Sequence, residues 1–470
     1  MRWLFRAARL GFVTVTLLLS ANAQQRSAVL VIRGATLIDG TGSTPTKAAT
    51  ILIRGGRVEA IGPNVEIPEG AREIDATGKF IIPGFLDSRV RIGPTPANHL
   101  SRNEIGIQQR LDSLRALLTT GVTGARLVQG SLLEQELYQR WAEDDLLPSP
   151  GIVTSGPVFT GKGGHPIEEY SVLAVDARDR ETRQISNDDQ AREKSREVAH
   201  AEANSFEIVY DQGPENNRKP RLEKSALEIL LAEAKGHTLS AYCEVGSDQE
   251  AAEAAEVGAK AIVGVWDEAL SDRTLSLLAK NQVYFLPVLT QQGDLVNLID
   301  ENDLKAYLDD PLVRQGLSST MKQSLASSAG TIPMLRDSLS TAAGKAIHLK
   351  FEEQQKRAFE NVRKARSAGV KIAVGTGAGN LLIFPGASMH RELQLLVKAG
   401  LTPLEAIVAA TQNTASSLGR SEEEGTLEVG KKANLLILDA DPLADIRNTE
   451  KIHEVISNGH EIRWEDYPPR

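Results

Sequence analysis

Residues 81–91 read IIPGFLDSRVR, an apolar run that ends in charged side chains placed two apart, Asp87, Arg89 and Arg91. Strand residues two apart share a face, so Arg89 and Arg91 are expected to point together into whatever the strand lines. Upstream, residues 28–80 alternate in short apolar runs, with Gly55-Gly56 between two of them as a hairpin signal. A matching piece lies at the far end. Residues 434–439 read NLLILD and residues 452–462 read IHEVISNGHEI, with a turn at Asn458-Gly459. Two β segments at opposite ends of a chain are expected to pair with each other. Between them, short apolar runs at 151–155, 206–210, 239–243, 261–265, 283–288 and 370–375 alternate with helical stretches such as 225–235 and 248–257. Strands alternating with helices imply parallel βαβ units, and this many in succession fit a closed (β/α)8 barrel. A doubly wound sheet would need a Gly-rich phosphate turn after an early strand, and the sequence has none.

Several motifs carry a family resemblance. They are PGFLD at 83–87, TGKGGH at 160–165, GTGAG at 375–379, PGASMHREL at 385–393, AGLTPLEAIVAATQNTASSLG at 399–419 and EGTLEVGKKANLLILDADPLADI at 424–446. On these the chain resembles the amidohydrolase superfamily, in its imidazolonepropionase-like branch, over nearly the whole length after residue 23. The resemblance implies an α/β fold, a (β/α)8 TIM barrel with a small β-sandwich domain formed from both ends of the chain. The implied domains are a composite β unit at 24–80 and 421–470, and a barrel at 81–420 with a helical insertion near 296–366.

The same resemblance implies metal-assisted hydrolysis of non-peptide carbon–nitrogen bonds, with one or two divalent ions, typically zinc, held at the C-terminal strand ends. Position by position, the implied ligands fall on Arg89 and Arg91 (a His-x-His pair), Val209 (a bridging lysine), Glu244 and Gly264 (two histidines) and Gly377 (an aspartate that also serves as general base). All six are substituted. Arginine stays protonated and has no acceptor, and Val and Gly offer no donor. Glu244 alone could ligate, and one ligand does not make a site. The eight histidines include no pair at i,i+2 or i,i+4. The expectation is therefore a chain without a metal cofactor, carrying no stoichiometric zinc, manganese or iron. Glu244 is expected to pair with one of the arginines. The excess positive charge would favour a small anionic ligand at the barrel mouth.

His165 and His390 stand where the resemblance places them, and with Arg89, Arg91, Val209, Tyr210, Glu244, Gly264 and Gly377 they are candidate substrate-pocket residues. The other reading has His165 ordering its Gly-rich loop and His390 packing beside the last strand, and for His390 packing is favoured. Three readings follow. The chain is a pseudoenzyme that acts by binding; or it is a hydrolase of amide or cyclic amide bonds with a metal-free site using His165, Tyr210 or Glu244; or it retains metal hydrolysis through an unexpected site.

Arg2, Arg6 and Arg9, an apolar stretch at 10–20 and Ala21-Asn22-Ala23 form a signal-peptide pattern, so the mature chain is expected to start at Gln24 in the periplasm or outside the cell. An uncleaved N-terminal anchor is the other reading. Cleavage removes three arginines and no acid, taking the formal charge from -9 to -12. An acidic chain argues against a nucleic-acid partner. No later segment is a membrane-span candidate, and a homo-oligomer is left open. Cys243 is the single cysteine, so stability must come from a core rather than from an intrachain disulfide.

Overall fold

The computed structural model describes residues 29–92, 107–143, 149–167, 179–201, 203–213, 218–265, 267–291, 306–316, 341–380 and 382–462. The expected signal peptide, and residues 296–305 and 317–340 of the expected insertion, lie outside the described residues. Within the insertion the described part is helical, ending in a long helix over Ala342–Ser367.

The two ends of the chain meet. The N-terminal part supplies β1 (Leu30–Leu37), β2 (Thr46–Arg54), β3 (Arg57–Gly62), β4 (Arg72–Asp75) and β5 (Phe80–Pro83). The path through these strands is β5-β1-β2-β3, with β4 beside β1. Three further strands from the C-terminal end, named below, extend it at β5. The hairpin turns fall at Gly55-Gly56 and Asn458-Gly459, as the sequence indicates. The edge strand β3 bonds back to the C-terminal segment: Val58 N donates to Lys431 O (2.9 Å) and Gly430 N to Val58 O (2.8 Å). The small unit is thus one connected sheet curled round its own core. That core includes Ile32, Ile51, Ile53, Ile81 and Ile437, all essentially inaccessible. Because β5 belongs to this sheet, the unit runs to Pro83, slightly beyond the boundary at residue 80.

The barrel begins one residue later. β6 (Phe85–Val90) follows β5 across Gly84. A Cβ on Gly84 would stand 2.2 Å from Thr123 Oγ1, so only glycine lets the chain pass from sheet to barrel here. The next strands are β7 (Val122–Leu127), β8 (Gly151–Thr154), β9 (Val158–Gly161) and β10 (Thr182–Ile185), then β11 (Ser205–Val209), β12 (Ser240–Val245), β13 (Ala261–Gly264) and β14 (Tyr284–Leu286). All barrel pairings are parallel. β8 and β9 together make the third staves of the barrel, joined to β11 by Asn204 N to Thr154 O (3.0 Å) and by the Ile208–Phe159 pairing. The extended segment 370–378 closes the ring. It bonds to β14 through Phe285 N to Lys371 O (3.0 Å) and to β6 through Ser88 N to Val374 O (3.0 Å). The strands are buried along their whole length, as parallel strands covered on both faces must be. Helices between them carry clear start signals: Ser247 and Glu250 form a capping box for Asp248–Glu256, and Ser271 caps Asp272–Lys280.

The C-terminal strands β15 (Leu435–Leu438), β16 (Ile452–Ser457) and β17 (His460–Ile462) complete the small sheet, with β15 lying antiparallel on β5. Ile437 is central in this junction and fully buried. Truncating a buried Ile to Ala costs about 2–5 kcal/mol. Ile437→Ala is expected to lose that much in urea unfolding.

Candidate active site

The C-terminal ends of the barrel strands carry a chain of buried charges. Arg89, from β6, donates from Nη1 to Glu207 Oε1 and from Nη2 to Glu244 Oε2 (2.5 Å). Glu207, from β11, uses its other oxygen to accept from Arg126 Nη1 (2.8 Å). Arg126, from β7, also donates to Ser205 Oγ (2.8 Å) and Phe206 O (2.9 Å), and its guanidinium lies 3.9 Å above the Tyr242 ring. Two guanidinium groups therefore alternate with two carboxylates across four strands, and all four side chains are buried. Burial alone would lower the Arg89 pKa, but Glu244 and Glu207 outweigh it and hold the group above its ordinary value. Burial pulls Glu244 the other way; Arg89, then His165 and Arg91, bring its pKa below the ordinary carboxylate value.

Asp87 ties the first strand to the last. It accepts from Thr376 N (2.9 Å) and Thr376 Oγ1 (2.5 Å), and from Arg89 N (3.1 Å). Burial raises its pKa to about 6 despite these bonds.

The other sequence candidates separate into inside and outside. Arg91 is buried, and its Nη1 donates to Asn380 Oδ1 (3.2 Å). Val209 is buried beside Glu244 in the β11–β12 register. Gly264 and Gly377 both have positive φ, +102° and +69°. A Cβ on Gly377 would stand 2.9 Å from Gln291 Oε1, so an aspartate there meets both strain and a contact. Tyr210 does not belong to the site. It is one residue past Val209 and faces outward, donating to Glu253 Oε2 (2.6 Å) with Arg221 stacked on its ring. His390 lies at the opposite end of the strands. Its ring nitrogens bond Thr449 Oγ1 (3.0 Å) and Thr120 O (2.9 Å), and it meets the Phe85 ring edge-on. It is a packing residue, and burial lowers its pKa to about 4.

These positions do not fit the metal centre that the resemblance implies. The Arg89 guanidinium lies between Glu207 and Glu244, and Val209, Gly264 and Gly377 present no donor. The anion reading draws no excess charge from Arg89: its Nη1 and Nη2 each bond a carboxylate, Glu207 and Glu244, so its charge is matched within the protein. Glu207, hidden in the apolar run SFEIV, supplies the carboxylate that the sequence reading did not count.

A second group was missed for a different reason. Among the described residues, His165, Asp211 and Glu244 each place one ligand atom within 4.8 Å of the other two. Burial, then Glu244, raises the Asp211 pKa to about 7, with His165 opposing. Asp211 matches no motif, and no short spacing links it to His165 or Glu244; only strand adjacency does. Arg126 and Glu207 did have a visible signal, a lone charge inside an apolar strand run.

A sequence model of the amidohydrolase family matches residues 138–462. An imidazolonepropionase from Caldanaerobacter subterraneus subsp. tengcongensis is 23% identical over 419 residues, 83% of this chain and 84% of that protein. More local matches are stronger. An imidazolonepropionase from Geobacillus sp. is 38% identical over 84 residues, 17% of this chain and 19% of the relative. An ochratoxinase from Aspergillus niger is 42% identical over 85 residues, 18% of this chain and 17% of the relative. The chain thus spans only about a fifth of the length of these two. Among solved structures, a Xaa-Pro dipeptidase with bound methionine superposes with a TM-score of 0.73 at 19% identity, covering 93% of this chain and 100% of the other. The A. niger ochratoxinase superposes with a TM-score of 0.72 at 19% identity, covering 94% and 98%. At these identities the superpositions show the fold.

The charge chain makes a stability prediction. Glu207→Leu strands Arg89 and Arg126 with one carboxylate between them and should cost about 3–5 kcal/mol in urea unfolding. The double variant Glu207→Leu/Arg126→Met leaves one matched pair, Arg89 with Glu244, and should recover most of that loss. Equal losses in single and double variants would mean that the charges do not act as a unit.

His390 gives a pH prediction. Its folded-state pKa is depressed, so between about pH 6.5 and about 4 the unfolded chain binds the extra proton. The His390 contribution is present above about pH 6.5 and is lost as pH falls through that window, at most about 3 kcal/mol. His390→Gln should flatten this part of the stability–pH curve.

Proposed function

We propose that this chain, which belongs to the amidohydrolase family, has given up the metal-assisted hydrolysis associated with that fold and acts as an exported, non-catalytic binding protein. The observation that carries the reading is the Arg89 guanidinium, held between Glu207 and Glu244 at the strand ends. A fixed cation of the protein's own stands among the positions where the resemblance would put metal ligands. Five of the six implied positions are Arg, Val or Gly, which offer no donor to a cation. Export rests on the basic, apolar and Ala-x-Ala pattern of residues 1–23. Among the described residues no helix is long and apolar enough to cross a membrane.

A second reading, a hydrolase of amide or cyclic amide bonds with an unusual site, is favoured by one observation, the grouping of His165, Asp211 and Glu244. These three could hold or move a proton beside a bound substrate.

Assays of the purified mature chain against amides, cyclic amides and X-Pro dipeptides separate the two. No turnover above the buffer rate is expected, with or without added zinc or manganese. Turnover that disappears in Asp211→Asn would establish the second reading. N-terminal sequencing of the exported fraction should begin at Gln24; a cytoplasmic chain keeping Met1 would remove export from the proposal.

A further inference from the structure

We infer that His165, Asp211 and Glu244 form a divalent-cation site at the barrel mouth, built from a different donor set than the family resemblance implies and preferring zinc. The three donors come from separate strand ends. His165 follows β9, Asp211 lies two residues past β11, and Glu244 is near the end of β12. One ligand atom of each lies within 4.8 Å of the others. Zinc binds imidazole nitrogen and carboxylate oxygen at about 2.0–2.2 Å, which puts tetrahedral donors about 3.4 Å apart. Side-chain rotations that close the group by about an ångström would form the site. An imidazole beside two carboxylates suits zinc better than calcium or magnesium, which take oxygen ligands.

Glu244 and Asp211 are each positioned by a neighbour that leaves oxygen lone pairs able to ligate. Glu244 gives Oε2 to Arg89, and a carboxylate has about four lone-pair positions on its two oxygens. Asp211 Oδ1 accepts from Gly213 N (2.9 Å), which leaves Oδ2. The Gly213 backbone packs on the His165 imidazole: a Cβ at 213 would stand 3.3 Å from Nδ1 and Cγ. Supporting contacts of this kind orient metal ligands.

Charge argues the same way. In the strand-end chain two guanidinium groups already match Glu207 and Glu244. Asp211 is a further carboxylate set beside Glu244, and the two repel each other. A dication between the two carboxylates would offset that repulsion. Three protein donors leave a fourth position for water or for a donor atom of a bound ligand. The site holds whether or not the chain turns over a substrate, and it revises the expectation of a metal-free protein.

The test uses the tag-free mature chain, stripped with EDTA, dialysed and titrated with ZnCl2 by calorimetry, with melting temperature followed in parallel. One zinc per chain is expected, with a rise in melting temperature that equal MgCl2 does not give. Asp211→Asn and His165→Gln should each weaken zinc binding by about tenfold or more. Asp211→Asn removes one of two adjacent carboxylates, so its metal-free form should melt no lower than the wild type. Failure of the wild type to bind zinc, equal responses to zinc and magnesium, or unchanged zinc affinity in both variants would overturn the inference. No turnover is read in this experiment, so its outcome is separate from that of the proposed function.

Discussion

The barrel's strand ends are organised by one guanidinium. Arg89 reaches Glu207 on one side and Glu244 on the other, and Glu207 passes the contact on to Arg126. Removing four charges from water costs several kcal/mol for each, and their mutual attraction in a low-dielectric interior roughly offsets that cost. The gain is positional. Strands β6, β7, β11 and β12 are pinned in one arrangement, since a slip of any of them would strand a buried charge. Every other feature of the mouth is arranged round this constraint: Glu244 is turned toward Arg89, Asp87 is left to bind the last strand, and Asp211 stands outside the balanced set.

The fold was legible in the sequence because it rests on local signals. Alternating apolar runs marked the strands, Gly55-Gly56 and Asn458-Gly459 marked the turns, and long motifs near the C-terminus carried the resemblance. The site was legible only in part. Arg89, Arg91, Val209, Glu244, Gly264 and Gly377 were readable because the family pattern names their positions. Glu207 showed only as a lone charge in an apolar run, sharing a face with Val209 two residues on, and its partners were not readable. Its partners Arg89 and Arg126 are 118 and 81 residues away, and nothing along the chain announces such pairings. Strand parity would have corrected Tyr210, which follows Val209 and so faces the helices. Asp211 lay beyond this reasoning, because a search by residue spacing along one strand cannot see donors gathered from three.

The glycines of the last barrel strand and the arginines of the first fit as one unit. A Cβ on Gly375 would stand 2.8 Å from Arg89 Cβ, so the guanidinium stem occupies space that any larger residue would take. At Gly377 positive φ and the Gln291 contact act together. Placing histidines at 89 and 91 and an aspartate at 377 would therefore not rebuild a metal centre. Glu207 and Arg126 would lose their partner arrangement, and the last strand would have to move.

The contact between β5 and β15 has a bearing on how the chain reaches its structure. Lys79 and Asp439, at the edge of that junction, are 360 residues apart and bonded. β5 runs straight into the first barrel strand, so the barrel starts from a strand whose neighbour in the small sheet is made last. During synthesis the N-terminal half carries an unpaired, apolar β5 edge until nearly the whole chain has emerged. Pairings between such distant segments form slowly, and exposed edges are where unfinished chains stick to one another. The late arrival of β15 thus makes completion of the small sheet a closing step, with the apolar edge of β5 left uncovered until then.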